Sequence, residues 1–227
     1  MFEFPEGESR FFIDGVCGQL QTSTMAPSNA PEDGDSGVVV VVCHPHPLMG
    51  GTMNNKVVHT IARCHRDLGH RVVRFNFRGV EKSEGEYAEG IGEADDLMAV
   101  LGWLKSVRPG DRIILAGFSF GSYVVTRALQ LALKDDFPVI SLLLVAPAVV
   151  NYDFENFTAF DVPLGVIVGG SDEVVDPSSI YQWFDSVTTE KQKAVLEGAG
   201  HFFHGQLPEL KGLVKQLANI DNDRNLR

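Results

Sequence analysis

The sequence predicts an α/β fold, with one mostly parallel, twisted sheet and helices on both of its faces. Three observations predict it. Strand-like and helix-like segments alternate from residue 38 onward. The first of these strands, Val38 to Val42, is an unbroken β-branched run, which suits a strand buried on both faces. The 227-residue chain is 44% hydrophobic and 22% charged, ordinary values for a globular domain with a sizeable core.

Residues 8–24 alternate loosely and read as two short antiparallel strands. Residues 25–37 (MAPSNAPEDGDSG) are turn-formers and acids, hence an exposed loop. The regular pattern follows. A strand at 38–42 leads to a helix near 54–68 and a strand at 71–75. A helix over 93–106 precedes a strand at 112–116, and a helix over 120–133 precedes a strand at 141–146. A strand at 163–168 leads to a helix at 178–186, a strand at 191–196 and a last helix near 208–219. Residues 221–227 read as a frayed tail. Such alternation implies right-handed βαβ crossovers. There is no repeat and no second linker, so 1–227 is expected to be a single domain. Only residues 148–162 separate the strand 141–146 from the next, which is too little for a cap domain. The site should therefore be open.

The net charge of −11 disfavours nucleic acid and anionic membrane surfaces as partners. Cys17, Cys43 and Cys64 form no CxxC pair, and their odd number leaves one unpaired. A reducing compartment is the simplest reading. The N-terminal residues carry no signal-peptide pattern, and the longest apolar run is too short to span a bilayer. A cytoplasmic location is expected.

In open α/β sheets chemistry sits at the carboxyl ends of the strands. After the strand ending at Ala116 comes Gly117-Phe118-Ser119-Phe120-Gly121, a G-x-S-x-G between strand and helix. That context is the one a nucleophile elbow requires: the turn forces the serine into a strained conformation, and its flanks must lack side chains. After the strand 163–168 comes Gly169-Gly170-Ser171-Asp172-Glu173, with Asp176 before Pro177. Asp172, nearest the strand, is the preferred carboxylate. Asp176 reads as a helix N-cap with proline at the first helical position, and Glu173 as solvent-facing. After the strand 191–196, the small-residue loop Gly198-Ala199-Gly200 delivers His201, which is preferred to His204. Ser119, Asp172 and His201 thus form the expected catalytic set, in the order that α/β-hydrolases use.

An oxyanion hole needs backbone donors. Phe120, just after the serine, is one. The other should lie in His44-Pro45-His46-Pro47-Leu48, where the prolines cannot donate. His46 or Leu48 remains, with a slight preference for His46. His44 and His46 form an H-x-H, but no carboxylate or cysteine completes a metal set, so no metal and no other cofactor is expected. Arg78 is expected to brace its loop by pairing with Glu81, Glu84 or Glu93. Phe118, Phe120, Phe154, Phe157 and Phe160 are candidates to line an acyl pocket, with at least half expected to serve the core instead.

These stretches resemble the small, lidless bacterial α/β-hydrolases, which are esterase-like and related to the dienelactone hydrolase group. The resemblance spans nearly the whole chain. It is carried by HPHPLMGGTMNNKVV (44–58), FNFRGVEKSEGEY (75–87), the GFSFGS elbow, GGSDEVVDP and GAGHFFHG. Many members have a glycine where this chain has Glu81, and dienelactone hydrolases use cysteine where this chain has Ser119. The expected activity is hydrolysis of a small-molecule carboxylic ester through an acyl-enzyme. A thioesterase or amidase would use the same triad, and a non-catalytic binding module is the alternative of another class. A dinucleotide enzyme is disfavoured, because the first parallel strand runs into HPHPLMGG rather than G-x-G-x-x-G. Oligomeric state, a homodimer included, is left open.

Overall fold

In the computed structural model of the chain, residues 3–27 and 36–222 are described. Residues 28–35 of the expected loop and 223–227 of the expected tail lie outside the described residues; at their described ends, Met25 is instead a buried strand residue, and 221–222 continue the last helix.

The described chain builds one eight-stranded sheet. Its strands are β1 (Glu8–Gly15), β2 (Gly18–Met25), β3 (Val38–Cys43), β4 (Arg71–Phe75), β5 (Arg112–Phe118), β6 (Val139–Val145), β7 (Leu164–Gly169) and β8 (Lys191–Leu196). Its helices are α1 (Lys56–Asp67), α2 (Ile91–Val107), α3 (Phe120–Lys134), α4 (Pro177–Ser186) and α5 (Leu207–Asn222). The strand order is β1-β2-β4-β3-β5-β6-β7-β8. β1 and β2 form an antiparallel hairpin that meets β4 antiparallel; from β4 to β8 every pairing is parallel.

Every residue of β3 is buried, as its valine run requires. α1 and α5 cover one face, meeting Val40, Val42, Ile114 and Ile167. α2, α3 and α4 cover the other, meeting Val39, Val41, Leu115 and Val168. From β3 the chain steps to β4 on one side and then to β5 on the other. This reversal makes the carboxyl ends of β3 and β5 the topological switch point, the place where open sheets bind ligands. Residues 146–163, between β6 and β7, contain no helix or strand, so no cap domain is inserted there. A short 3₁₀ turn at Pro47–Met49 is the one element the sequence pattern did not suggest.

Three buried histidines make stability pH-dependent. Burial pushes His44 and His65 down to about 3 and His70 down to about 4. In the unfolded chain each titrates near its ordinary 6.5. Between these values the unfolded chain binds protons that the folded chain refuses. Stability is therefore complete above about pH 6.5 and falls as the pH drops toward 4, by up to about 1.4 kcal/mol per pH unit for each histidine. Urea unfolding from pH 7 to 4.5 is expected to show a steadily falling midpoint; a flat midpoint would contradict neutral, buried imidazoles.

Candidate active site

Ser119 sits between the last residue of β5 and the first of α3, with φ 54° and ψ −117°. A side chain tolerates that conformation only where the surroundings impose it. Here they do. Its N–H donates to the Val145 carbonyl at 2.9 Å, and the Ser122 hydroxyl donates to the Gly117 carbonyl at 2.9 Å. A Cβ on Gly117 would run into the carbonyl of Gly121, and one on Gly121 into that of Cys43. Both glycines are thus required by close backbone approach.

Asp172 follows β7 and is buried. Its Oδ1 accepts the N–H groups of Val174 and Val175, each at 2.8 Å, which fixes the plane of the carboxylate. Its Oδ2 faces His201 Nδ1 at 2.8 Å. An ionised carboxylate only accepts, so Nδ1 carries the proton and Nε2 is left to accept from Ser119 Oγ, 2.9 Å away. The loops after β7 and β8 are stitched together: Gly170 N–H donates to Leu196 O and Ser171 N–H to Ala199 O, both at 2.9 Å. The His201 ring rests against Phe118, with centroids 5.2 Å apart. The structure therefore brings Ser119, His201 and Asp172 into one hydrogen-bonded chain.

The loop after β3 lies against the elbow, since the first turn of α3 approaches the Cys43 and His44 carbonyls closely. Phe120 N–H heads α3, where no carbonyl of its own helix is within reach. Leu48 N–H is occupied, donating to His46 Nδ1 at 3.1 Å as the cap of the 3₁₀ turn. His46 N–H donates to no backbone carbonyl among the described residues. Of the two alternatives, His46 is the one with a donor to offer. His44 is committed elsewhere: fully buried, it gives Nδ1–H to Pro45 O at 2.7 Å and accepts Phe77 N–H on Nε2 at 3.0 Å. That joins the loops after β3 and β4, and leaves no nitrogen of His44 for a metal.

Other expectations divide. Asp176 caps α4 through the Ser178 N–H at 3.0 Å, with Pro177 next. His204 is exposed and stacks on Phe202, while Phe154 and Phe157 belong to the core against Trp183 and Tyr123. One reading needs correction. Arg78 pairs with none of Glu81, Glu84 or Glu93 but with buried Asp96, at 2.7 Å. Glu93 instead accepts Ala88 and Gly90 N–H groups, Glu84 accepts Gln19 N–H, and Glu81 accepts Asn76 Nδ2–H. Glu81 also has φ 49°, left-handed backbone that a glycine adopts without strain. Glu173 is exposed, as read, and in addition accepts the His201 N–H at 3.1 Å, which braces the histidine loop. Nothing in its neighbours signals that bond, which depends on where the loop after β8 lands.

An eight-stranded, mostly parallel sheet with a serine on a strained strand–helix turn defines an α/β-hydrolase fold. Comparison with known proteins narrows the class. The chain is similar to an α/β serine hydrolase homologue from Coxiella burnetii, with TM-score 0.87 and 40% identity over 95% of this chain and 99% of that one. It is also similar to XC6422 from Xanthomonas campestris, an α/β serine hydrolase without a lid, with TM-score 0.86 and 38% identity over 95% of each chain. RP471 of Rickettsia prowazekii, itself uncharacterized, is 33% identical over 90% of this chain and 86% of its own length. No protein-family model matches the chain. The chain belongs to the lidless α/β serine hydrolases. Among the described residues no helix is long and apolar enough to cross a membrane.

Proposed function

We propose that the protein hydrolyses small-molecule carboxylic esters through an acyl-enzyme on Ser119. The observation that carries this reading is the chain of two hydrogen bonds, 2.9 and 2.8 Å long, from Ser119 Oγ through His201 to Asp172. His201 Nε2 takes the hydroxyl proton as Oγ attacks the ester carbonyl. The resulting imidazolium sits against the Asp172 carboxylate, which stabilises it. The developing oxyanion is held by Phe120 N–H and His46 N–H. Collapse expels the alcohol, which takes the proton back from Nε2. Water, deprotonated by the same nitrogen, then attacks the acyl carbon and releases the acid with Ser119 restored. Every proton transfer uses a group already in place, so this chemistry calls on no cofactor.

The test is twofold. A fluorophosphonate probe followed by mass spectrometry should modify Ser119 and no other residue. p-Nitrophenyl esters of graded chain length, run beside matched acyl thioesters, should show turnover of the oxygen esters. Labelling at another residue would sink the mechanism. Turnover confined to thioesters would replace the substrate class and leave the triad standing.

A further inference from the structure

We propose that Tyr87 is a positioning residue of this site: its hydroxyl holds the His46 imidazole, and with it the His46 N–H, in register with the Phe120 N–H. The inference rests on the ester-hydrolase reading above.

The His46 ring is engaged at both nitrogens. Nδ1 accepts the Leu48 N–H at 3.1 Å, so it carries no proton. Burial keeps the imidazole below its ordinary 6.5, hence neutral at pH 7. A neutral ring with Nδ1 bare has its proton on Nε2. Nε2 lies 3.2 Å from the Tyr87 hydroxyl, so the imidazole donates and Tyr87 accepts. The His46 carbonyl is also committed, accepting from Met49 N–H at 3.1 Å and Gly51 N–H at 3.0 Å. The peptide that presents the His46 N–H is held through its own carbonyl, Pro45 O, which accepts from His44 Nδ1 at 2.7 Å, and the next peptide is held through the His46 carbonyl.

The same three residues touch through their rings. His46 lies 5.0 Å from Tyr87 and 5.2 Å from Phe120, and Tyr87 lies 5.9 Å from Phe120, centroid to centroid. The residues bearing the two proposed donors are thus in direct contact, and Tyr87 closes the triangle. Tyr87 is itself rigidly mounted. The next residue, Ala88, donates its N–H to Glu93 Oε1 at 2.8 Å, and Gly90 donates to Oε2 at 2.7 Å. Glu93 is fully buried at the start of α2. Gly90 has φ 84°, and a Cβ there would strike the Tyr123 ring. The Tyr152 ring, on the loop after β6, lies 5.2 Å from that of Phe120 and 4.7 Å from that of Tyr123, centroid to centroid. Tyr87 therefore couples the α2 N-terminus to the oxyanion loop. No catalytic motif includes it, and its role follows from what its hydroxyl touches.

Deleting an oxyanion donor outright costs about 10²–10³-fold in kcat, and loosening one costs less, about tenfold. Tyr87→Phe keeps the ring and removes the acceptor. Its kcat for a p-nitrophenyl ester is expected to fall about tenfold with KM within about twofold, the mark of an interaction made in the transition state. The rate of Ser119 phosphonylation by a fluorophosphonate should fall in the same proportion, because the phosphonyl oxygen occupies the oxyanion position. His46→Ala should slow both rates at least as much, and adding Tyr87→Phe to it should cost less than about twofold more. Unchanged rates in Tyr87→Phe, a raised KM with unchanged kcat, or an equal loss in both backgrounds would each overturn the proposal. If Ser119 is labelled but no ester is cleaved, the ester reading fails and the labelling rates still decide the role of Tyr87. If Ser119 is not labelled, both fall.

Discussion

Ser119→Ala is expected to lower kcat for ester hydrolysis by at least about 10⁴-fold, measured by steady-state kinetics on a p-nitrophenyl ester. The substitution removes the hydroxyl oxygen placed 2.9 Å from His201 Nε2 and with it the nucleophile that forms the acyl-enzyme. The fold should be untouched, because the strained backbone at 119 is held by Val145 and by the glycines on either side, not by the hydroxyl. Asp172→Asn should come close in magnitude, at about 10⁴-fold. Oδ1 is pinned as an oxygen by two N–H donors, so the new amide must turn its NH₂ toward His201. Nδ1 would then have to accept, the proton would move to Nε2, and the ring could no longer take the serine proton. A residual rate within tenfold of wild type in Ser119→Ala would remove the acyl-enzyme from the mechanism.

The second large effect is on stability. Asp96→Ala is expected to cost about 3–5 kcal/mol in urea unfolding, the usual penalty for leaving one member of a buried ion pair alone. Asp96 is wholly buried and accepts from Arg78 three times over: from Nη2 at 2.7 Å, from Nε at 3.0 Å and from the backbone N–H at 3.0 Å. Its carboxylate holds the guanidinium pKa above the ordinary value. Without it, a 6% exposed arginine would lose the carboxylate it is paired with. The joint change Arg78→Met with Asp96→Leu should cost less than the single one, since no unpaired charge remains. A single-variant loss under about 1 kcal/mol would show that water reaches Arg78 and that the pair is not a structural tie.

Much of this molecule is written locally. The valine run of β3 dictates a doubly buried strand whatever its neighbours. Gly117 and Gly121 flag the elbow because only glycine fits so close to another backbone. Asp176 before Pro177 announces a helix start within three residues. Ser119, Asp172 and His201 can be singled out because each is the suitable residue type immediately after a strand, and a parallel sheet sends all such positions to one edge. These features depend on residues near one another in the chain, or on a periodicity that short windows reveal.

Other choices were open until the chain packed. Arg78 had three acids close in sequence and took Asp96, because α2 presents that carboxylate to the loop after β4. Glu173 is a surface residue, as read, and also holds the His201 N–H, which no local pattern announces. His46 is only slightly preferred to Leu48 on sequence, and in the fold the imidazole of the one captures the N–H of the other. In each case several partners of the same chemistry compete, and the winner is set by which loop rests on which helix to within an ångström. That is a property of close packing among segments tens of residues apart, and no local pattern encodes it.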